Sequence, residues 1–329
     1  MEGKRIDWLD TSRGLAFLMV IYSHLEFCNH DLMRYFSPVF LTTFFFVSGY
    51  LYKSNSSFMK VFEQRTRTLF IPFIIYGTLL IALRYLYTTM DELASFDTYF
   101  LQMLFQYEPE SRFIWFIPAL YVYSLLFYWI EKHFNSPREL LVASLLFFTV
   151  NYVLSYFFHI SKLPYTLHTA GFGCAYMGFG KVYRHYETII DKHLGLHKMI
   201  IVFISYILFV FVSPGISYCG SPYLVDSIVI TIIGLSILIF ASKRLKTKCK
   251  FLLFIGSNSL LYFCLHGKVY AILESLVHKH CCLYLLDNAM FCNIMGIALT
   301  FADAVILIIP IVIINRYIPF TIGRGYKLW

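Results

Sequence analysis

The chain has 329 residues, of which 59% are hydrophobic and 14% are charged. Soluble domains carry about 25% charged residues, so this composition excludes an ordinary water-soluble protein, whose surface needs more polar cover. The net charge is +8. It does not indicate nucleic-acid binding, because the basic residues follow the pattern of membrane topology described below.

Ten apolar segments follow one another along the chain, each bounded by charged residues, proline or glycine. They lie near residues 13–28, 39–53, 69–87, 114–130, 140–158, 166–183, 199–212, 223–241, 251–273 and 293–315. Most are long enough to cross a bilayer as helices, and no internal repeat accompanies them. The sequence therefore predicts an all-α integral membrane protein, a bundle of about ten transmembrane helices that forms a single domain over residues 1–329.

The distribution of basic residues predicts how this bundle is oriented. If the N-terminus is cytosolic and the spans alternate, 21 of the 27 Lys and Arg residues fall on the cytosolic side. Cytosolic loops of membrane proteins are enriched in these residues, so both termini are predicted to be cytosolic. The N-terminal sequence lacks the features of a cleavable signal peptide, and the first apolar segment is therefore expected to remain as a span.

The first apolar segment contains two ionisable residues, Arg13 and His24. Ionisable residues are costly within membranes and mark functional sites. On a helix their spacing places both side chains within roughly 20° of one face and about 16 Å apart along the axis. Arginine binds phosphates and histidine transfers protons near neutral pH, so the pair fits an anionic donor that is held at the cytosolic end and reacts deeper in the membrane. Alternatively, Arg13 is a topology anchor and His24 a hydrogen-bonded core residue.

Six short blocks of sequence occur in a recognisable order. They are RIDWLDTSRGLAFLMVIYSH (5–24), FFFVSGYL (44–51), FEQRTRTLFIP (62–72), WFIPAL (115–120), YMGFGKVYR (176–184) and GSNSLLYFCLH (256–266). Together they resemble the membrane-bound acyltransferase family 3, close to its fucose 4-O-acetylase-like branch, which is marked by an arginine, ten residues and a histidine in its first span. Ser23, Thr68 and Phe113 depart from the family pattern.

The resemblance implies a ten-helix bundle that transfers acyl groups, usually acetyl from acetyl-CoA, to hydroxyls of extracytoplasmic glycans or lipid-linked sugars. Acetyl-CoA, a glycan or lipid-linked sugar acceptor and the lipid bilayer are then the expected partners, and a bacterial inner membrane is the expected location. No zinc-ligand spacing and no nucleotide-binding loop stands out in the sequence, so no metal is expected. A nucleic-acid partner is not expected either, because the basic residues follow membrane topology.

Four residues are expected to carry the chemistry. His24 is expected to act as the general base, and Arg13 to hold the donor phosphates. Ser48 or His266 is a candidate hydrogen-bond donor to the developing oxyanion. For His266 the alternative is a histidine that is hydrogen-bonded to a neighbouring helix. Asp10 precedes Arg13 by three residues, a spacing at which it could hold the guanidinium. Alternatively, it is a first-turn acid at the helix N-terminus.

Further residues are candidates for binding the two substrates. Arg65 and Arg67, in a basic cytosolic loop, are candidates for binding the donor phosphates, or they serve only as topology signals. Glu26 and Asp226 fall near the outer ends of spans, where they are candidates for orienting sugar hydroxyls or are interfacial residues. Trp115 is either a platform for a sugar ring or a packing residue.

Two other functional classes fit some of these features. A secondary transporter or flippase for a sugar or an acyl carrier would use the intramembrane Arg and His residues as a coupling relay, although no inverted repeat is visible. A non-catalytic scaffold leaves the alignment of Arg13 with His24 unexplained.

A disulfide between Cys219 and either Cys281 or Cys282 is left open, and Cys174 and Cys264 are predicted to be packing residues.

Overall fold

The computed structural model of the protein describes residues 6–54, 56–87, 95–105, 114–134, 136–158, 163–213, 224–245, 248–280 and 288–324. These residues form fifteen α-helices and no strand, which confirms the all-α prediction. The helices are α1 (Asp7–His24), α2 (His30–Phe36), α3 (Phe40–Tyr50), α4 (Phe58–Arg65), α5 (Ile71–Tyr87), α6 (Phe96–Phe105), α7 (Phe116–His133), α8 (Pro137–Phe157), α9 (Ala170–His193), α10 (Leu196–Val212), α11 (Leu224–Leu245), α12 (Lys250–Ser257), α13 (Ser259–His280), α14 (Ala289–Ile306) and α15 (Ile308–Tyr317).

Several helices begin at residues that satisfy the free backbone amides of the first turn. The side chain of Asn29 caps α2, and that of Asn288 caps α14. At the start of α8, Ser136 and Glu139 form a capping box, with Pro137 in the first turn. Proline suits this position because its missing N–H would have no helical partner there. Local sequence therefore fixes where these helices begin.

Five helical stretches among the described residues are long and apolar enough to cross a membrane. They are Phe58–Tyr85, Pro137–Phe157, Ser227–Leu245, Ser259–His280 and Met290–Tyr317. The number is six if Pro164–His193 and Leu196–Val212, which meet at a bend of 109°, form one span. Three other predicted spans are not among these stretches. The segment 114–130 corresponds to α7, whose 18 residues end in Glu131, Lys132 and His133. The 18 residues of α1 include Asp7, Asp10 and Arg13, and α3 has only 11 residues, which is about 16 Å.

The outer faces of the long helices are strongly apolar. On α10, the side chains of Phe203, Ile204, Leu208 and Phe211 are all exposed. Single exposed apolar residues are ordinary, but an extensive apolar face needs a partner or a lipid environment. Together with the length of the apolar helices, this exposure indicates an integral membrane protein.

The helices group into two units, each built from separate parts of the chain. The first contains residues 1–51 and 176–309, and the second contains residues 52–175 and 310–329. The first therefore holds α1 to α3, most of α9, and α10 to α14. The second holds α4 to α8 and most of α15.

In the first unit, two of the sequence blocks pack against each other through glycine. A Cβ atom on Gly49 of α3 would lie 1.8 Å from the carbonyl oxygen of Met177 on α9. A Cβ atom on Gly180 of α9 would lie 2.0 Å from the carbonyl oxygen of Phe46. Small residues let membrane helices approach at backbone distance. The block at 44–51 and the block at 176–184 are therefore two sides of one helix contact.

In the second unit, a π-helical turn at Thr66–Phe70 joins α4 to α5. The turn packs on α7, where the hydroxyls of Thr66 and Tyr121 are 3.1 Å apart and the rings of Phe70 and Tyr121 are 5.2 Å apart. Isolated π-helical turns occur frequently at functional sites. This turn contains Arg67, one of the predicted donor-binding residues.

The predicted cysteine roles divide between described and undescribed residues. Cys174 and Cys264 are buried, as predicted for packing residues. Cys219, Cys281 and Cys282, the candidates for a disulfide, lie outside the described residues.

Candidate active site

The two predicted reactive residues lie at opposite parts of α1. Arg13 is in its second turn, and its guanidinium forms an ion pair with Asp10, which confirms the predicted i,i+3 contact. His24 is the last residue of the helix and is exposed. Because α1 is a continuous helix between them, the separation of about 16 Å along one face is retained.

The helix turn that carries Arg13 is held by close backbone contacts with α12. A Cβ atom on Gly256 would lie 1.7 Å from the carbonyl oxygen of Asp10, and one on Gly14 would lie 2.2 Å from the carbonyl oxygen of Leu252. Neither position accepts a larger side chain without moving a helix backbone. The Asp10–Arg13 turn is therefore fixed by glycine on both helices.

A charged and aromatic cluster anchors the start of α1. The Lys243 ammonium of α11 lies 4.9 Å from the ring centroid of Trp8. It also donates to Glu187 and Asp191 of α9, at 2.6 Å each. A half-buried cation with two carboxylate partners and an aromatic face is well satisfied. Lys243 therefore contributes to the structure at this end of the helix.

At the other end, the imidazole of His24 lies among aromatic rings of α13. Its ring is parallel to that of Tyr270, with centroids 6.2 Å apart, and is 5.3 Å from the ring of His266. The His266 ring in turn meets the edge of Phe17, at 5.4 Å. The structure therefore brings together the two predicted histidines, which are 242 positions apart in the sequence.

The imidazole of His266 has a defined hydrogen-bonding state. Its Nδ1 atom lies 2.9 Å from the carbonyl oxygen of Tyr262. A carbonyl oxygen only accepts, so Nδ1 carries the hydrogen, and the neutral ring has its lone pair on Nε2. The side chain is 1% exposed, and Nε2 has no hydrogen-bond partner among the described residues. His266 thus presents a buried hydrogen-bond acceptor beside His24.

Ser48 lies away from these histidines. On α3, Phe44 contacts Phe17 of α1 at 6.5 Å, and Tyr50 contacts Trp8 at 5.2 Å. The two helices are therefore antiparallel, and Ser48, between Phe44 and Tyr50, is level with the half of α1 that contains Arg13. Its half-buried hydroxyl is therefore nearer to the level of Arg13 than to that of His24.

The other predicted residues divide between the two units. Glu26, in the first unit, is exposed two residues after His24. Asp226 belongs to α11, but its side chain lies outside the described residues. Arg65 ends α4 in the second unit, where Arg67 follows in the π-helical turn. Trp115, also in the second unit, precedes α7 and meets Phe116 edge to face at 5.9 Å.

The family model of the acyltransferase 3 family, described as an acyltransferase domain, matches residues 6–315. The chain belongs to this family. It is therefore a membrane acyltransferase, and its Arg13 and His24 occupy the positions on which the resemblance rests. No curated protein and no solved structure is significantly similar to the acyltransferase.

Two distant sequence blocks of the matched region, 5–24 and 256–266, pack against each other. In the acyltransferase, Gly256 at the beginning of the block 256–266 packs against the carbonyl of Asp10, and His266 at its end packs against His24. One block of eleven residues therefore contacts α1 at both the Arg13 turn and the His24 end.

Sequence reasoning missed three residues near His24, namely Tyr270, Glu274 and His278. A signal for them was present, because His266, Tyr270, Glu274 and His278 recur every fourth residue and so share one face of α13. Without knowledge that this face meets the end of α1, the spacing had no functional meaning.

Among the described residues of the acyltransferase, no group of three His, Cys, Asp or Glu side chains could hold a metal ion.

Proposed function

We propose that the protein transfers an acetyl group from cytosolic acetyl-CoA to a hydroxyl of an extracytoplasmic or lipid-linked glycan. The observation that carries the proposal is that the two ends of α1 carry different groups. One end has the guanidinium of Arg13, held by Asp10, and the other has the accessible imidazole of His24, with the imidazole of His266 beside it. An anionic donor with a long flexible arm fits this separation, since the phosphates and the reactive thioester of acetyl-CoA are far apart.

The donor binds at the Arg13 end. Its phosphates pair with Arg13, which Asp10 keeps oriented. Ser48 of α3, which is level with this half of α1, adds a hydrogen bond. Arg65 and Arg67, which belong to the second unit, remain predicted donor-binding residues. A guanidinium suits this role because it stays charged and offers several donors in one plane.

His24 acts as the general base in the transfer. It removes the proton of the acceptor hydroxyl while the hydroxyl oxygen attacks the thioester carbonyl carbon. The new C–O ester bond forms as the C–S bond breaks, and the proton passes from His24 to the departing CoA thiolate. His266 supports this step from behind, because its Nε2 lone pair lies beside His24 and can accept a hydrogen bond from the N–H that His24 gains when it takes up the proton.

The acceptor approaches from the side opposite to the donor. Glu26 accepts hydrogen bonds from its hydroxyls, with Asp226 as a further acceptor-binding residue of the same unit. Trp115, in the second unit, remains a predicted platform for a sugar ring. This arrangement corresponds to a bundle of about ten transmembrane helices with both termini in the cytosol, in a bacterial inner membrane. The excess of Lys and Arg on the predicted cytosolic side supports this orientation.

The test is to measure the release of free thiol from acetyl-CoA by protein in nanodiscs, with and without extracted cell-envelope glycans, for the wild type and for His24→Ala. We expect glycan-dependent release that is lost in the variant. The exposed His193→Ala serves as the matched control and should retain the wild-type rate. Full activity in His24→Ala contradicts the general-base role. No release with any glycan, together with no binding of acetyl-CoA, favours a transporter.

A further inference from the structure

One face of α13 carries a polar series that runs from the interior to the surface. His266, Tyr270, Glu274 and His278 follow at four-residue spacing, and each step turns the side chain by only about 40°. His266 is 1% exposed and Tyr270 is 8% exposed, whereas the side chain of His278 is 41% exposed. The series therefore connects the buried ring behind His24 with the surface of the protein.

The exposed end of this series meets the chain just after α1. The backbone N–H of Glu26 donates to Glu274 Oε1 at 2.5 Å. The Glu26 carboxylate accepts from His278 Nε2 at 2.9 Å, and the side chain of Glu26 is 68% exposed. The ring of Phe27 stacks on His278, with centroids 5.5 Å apart. These contacts hold two carboxylates and one imidazole close to the end of α1 that carries His24. We call the cluster of Glu26, Glu274 and His278 the entrance.

The groups at this entrance are mostly hydrogen-bond acceptors. Each carboxylate uses one oxygen within the cluster, so Glu26 and Glu274 both retain an acceptor oxygen. Because His278 gives its Nε2 hydrogen to Glu26, its neutral ring has a lone pair on Nδ1. The entrance thus offers mainly hydrogen-bond acceptors, and it suits a ligand with many donors, such as hydroxyl or amino groups.

The interior end of the series provides independent evidence for a ligand. The Nε2 atom of His266 is buried without a hydrogen-bond partner among the described residues, and its ring lies 5.3 Å from His24 and 6.1 Å from Tyr270. A buried polar atom left unpaired is costly. A group that brings a proton to the His24–His266 pair removes this cost, and a hydroxyl held at the entrance is such a group.

We propose that Glu26, Glu274 and His278 form the subsite that binds the acceptor sugar and selects neutral or amino sugars over acidic ones. The proposal rests on the proposed acyl transfer, with His24 as the base. Two hydroxyls of one sugar ring donate to Glu26 and Glu274, and a third approaches His24. A uronic acid or a phosphorylated sugar would place an anion beside two carboxylates and is excluded.

The test compares Glu274→Gln and Glu26→Gln with the wild type in nanodiscs. Asp31→Asn is the matched control, because Asp31 is an exposed carboxylate five residues after Glu26 and outside the cluster. Binding of methyl α-glucopyranoside, the corresponding methyl glucosaminide and the methyl glucuronide is followed by saturation-transfer difference NMR, which needs no turnover. Transfer from acetyl-CoA to the same sugars gives separate KM values for donor and acceptor.

For the wild type we expect binding of the first two sugars and not of the glucuronide. Each glutamate variant should weaken sugar binding, or raise the acceptor KM, about tenfold, while the donor KM and thermal stability stay within twofold and a few degrees of wild type. Unchanged sugar binding in both variants, or equal binding of the glucuronide, overturns the subsite. If the wild type binds the sugars and loses them in the variants but transfers no acetyl group, the subsite stands and the proposed function fails.

Discussion

The two ends of α1 are built in different ways. At the Arg13 end, glycines on α1 and α12 bring backbones into contact, and Arg13 is paired with Asp10. At the His24 end, rings lie beside rings, carboxylates are exposed, and a buried imidazole nitrogen has no partner among the described residues. The first arrangement suits a group that must stay in one place, and the second suits groups that exchange protons. In the proposed function, donor binding and chemistry are thus separated along one helix.

The largest expected effect is on turnover at the His24 end. His24→Gln keeps a polar side chain but removes the base, and we expect kcat to fall by about 10²- to 10⁴-fold. Donor affinity should change little, because Arg13 is about 16 Å away. Steady-state kinetics and acetyl-CoA binding by calorimetry separate the two quantities. A loss of donor affinity as large as the loss in kcat would remove the distinction between the two ends.

The converse effect is expected at the Arg13 end. Arg13→Ala removes the bidentate contact with phosphate, and we expect the donor KM to rise by about ten- to a hundredfold, as for loss of a charge-assisted hydrogen bond. The kcat at saturating donor should fall much less. Arg316→Ala, which removes an exposed arginine, is the control. An unchanged donor KM in Arg13→Ala would show that the phosphates bind elsewhere.

Packing at the Arg13 end gives a third expectation. Gly256→Ala places a methyl group against the Asp10 carbonyl, and overpacking of this kind costs about 1–3 kcal/mol. We expect a lower thermal midpoint and weaker donor binding, measured by thermal shift and calorimetry. Gly195→Ala is the matched control, because its added methyl group meets nothing within 4 Å. Equal midpoints for the two variants would mean that the α1–α12 contact is not close.

The smallest effect is expected behind His266. The Tyr262 hydroxyl donates to the carbonyl of Ala304 at 2.8 Å, and Tyr262→Phe removes this bond while its own carbonyl still holds His266. Hydrogen bonds between membrane helices contribute about 0.6 kcal/mol on average. The variant should therefore lose little stability and keep its kcat. A large fall in kcat would assign the hydroxyl a part in the chemistry.

The sequence predicted the features that are formed by residues close together in the chain. The helical character of residues 7–24, the common face of Arg13 and His24, and the Asp10–Arg13 contact all follow from spacing along one helix. The ordered blocks also predicted the family. These properties depend on neighbours that are at most a few turns apart, so the linear pattern contains them.

The remaining features depend on contacts between distant residues. Glu26 meets Glu274 and His278 across about 250 positions, and no periodicity reports that α1 and α13 are neighbours. The ninth predicted span, 251–273, is interrupted at Asn258, whose side chain donates to the carbonyl of Phe254 and ends α12. A hydropathy pattern averages over such a break, because one polar residue changes it little.

The distance along α1 has a consequence for the energised membrane. The hydrocarbon core is about 30 Å thick, so about 16 Å along the helix covers about half of it. A full crossing of one elementary charge is worth about 2.3 kcal/mol per 100 mV, and half a crossing is therefore worth about 1 kcal/mol. With α1 along the membrane normal, as the predicted topology has it, Arg13 and His24 lie at different electrical depths, and the membrane voltage would affect the proton occupancy of the histidine. In the proposed reaction, a change of membrane potential would then change the rate of acyl transfer without any change in substrate supply.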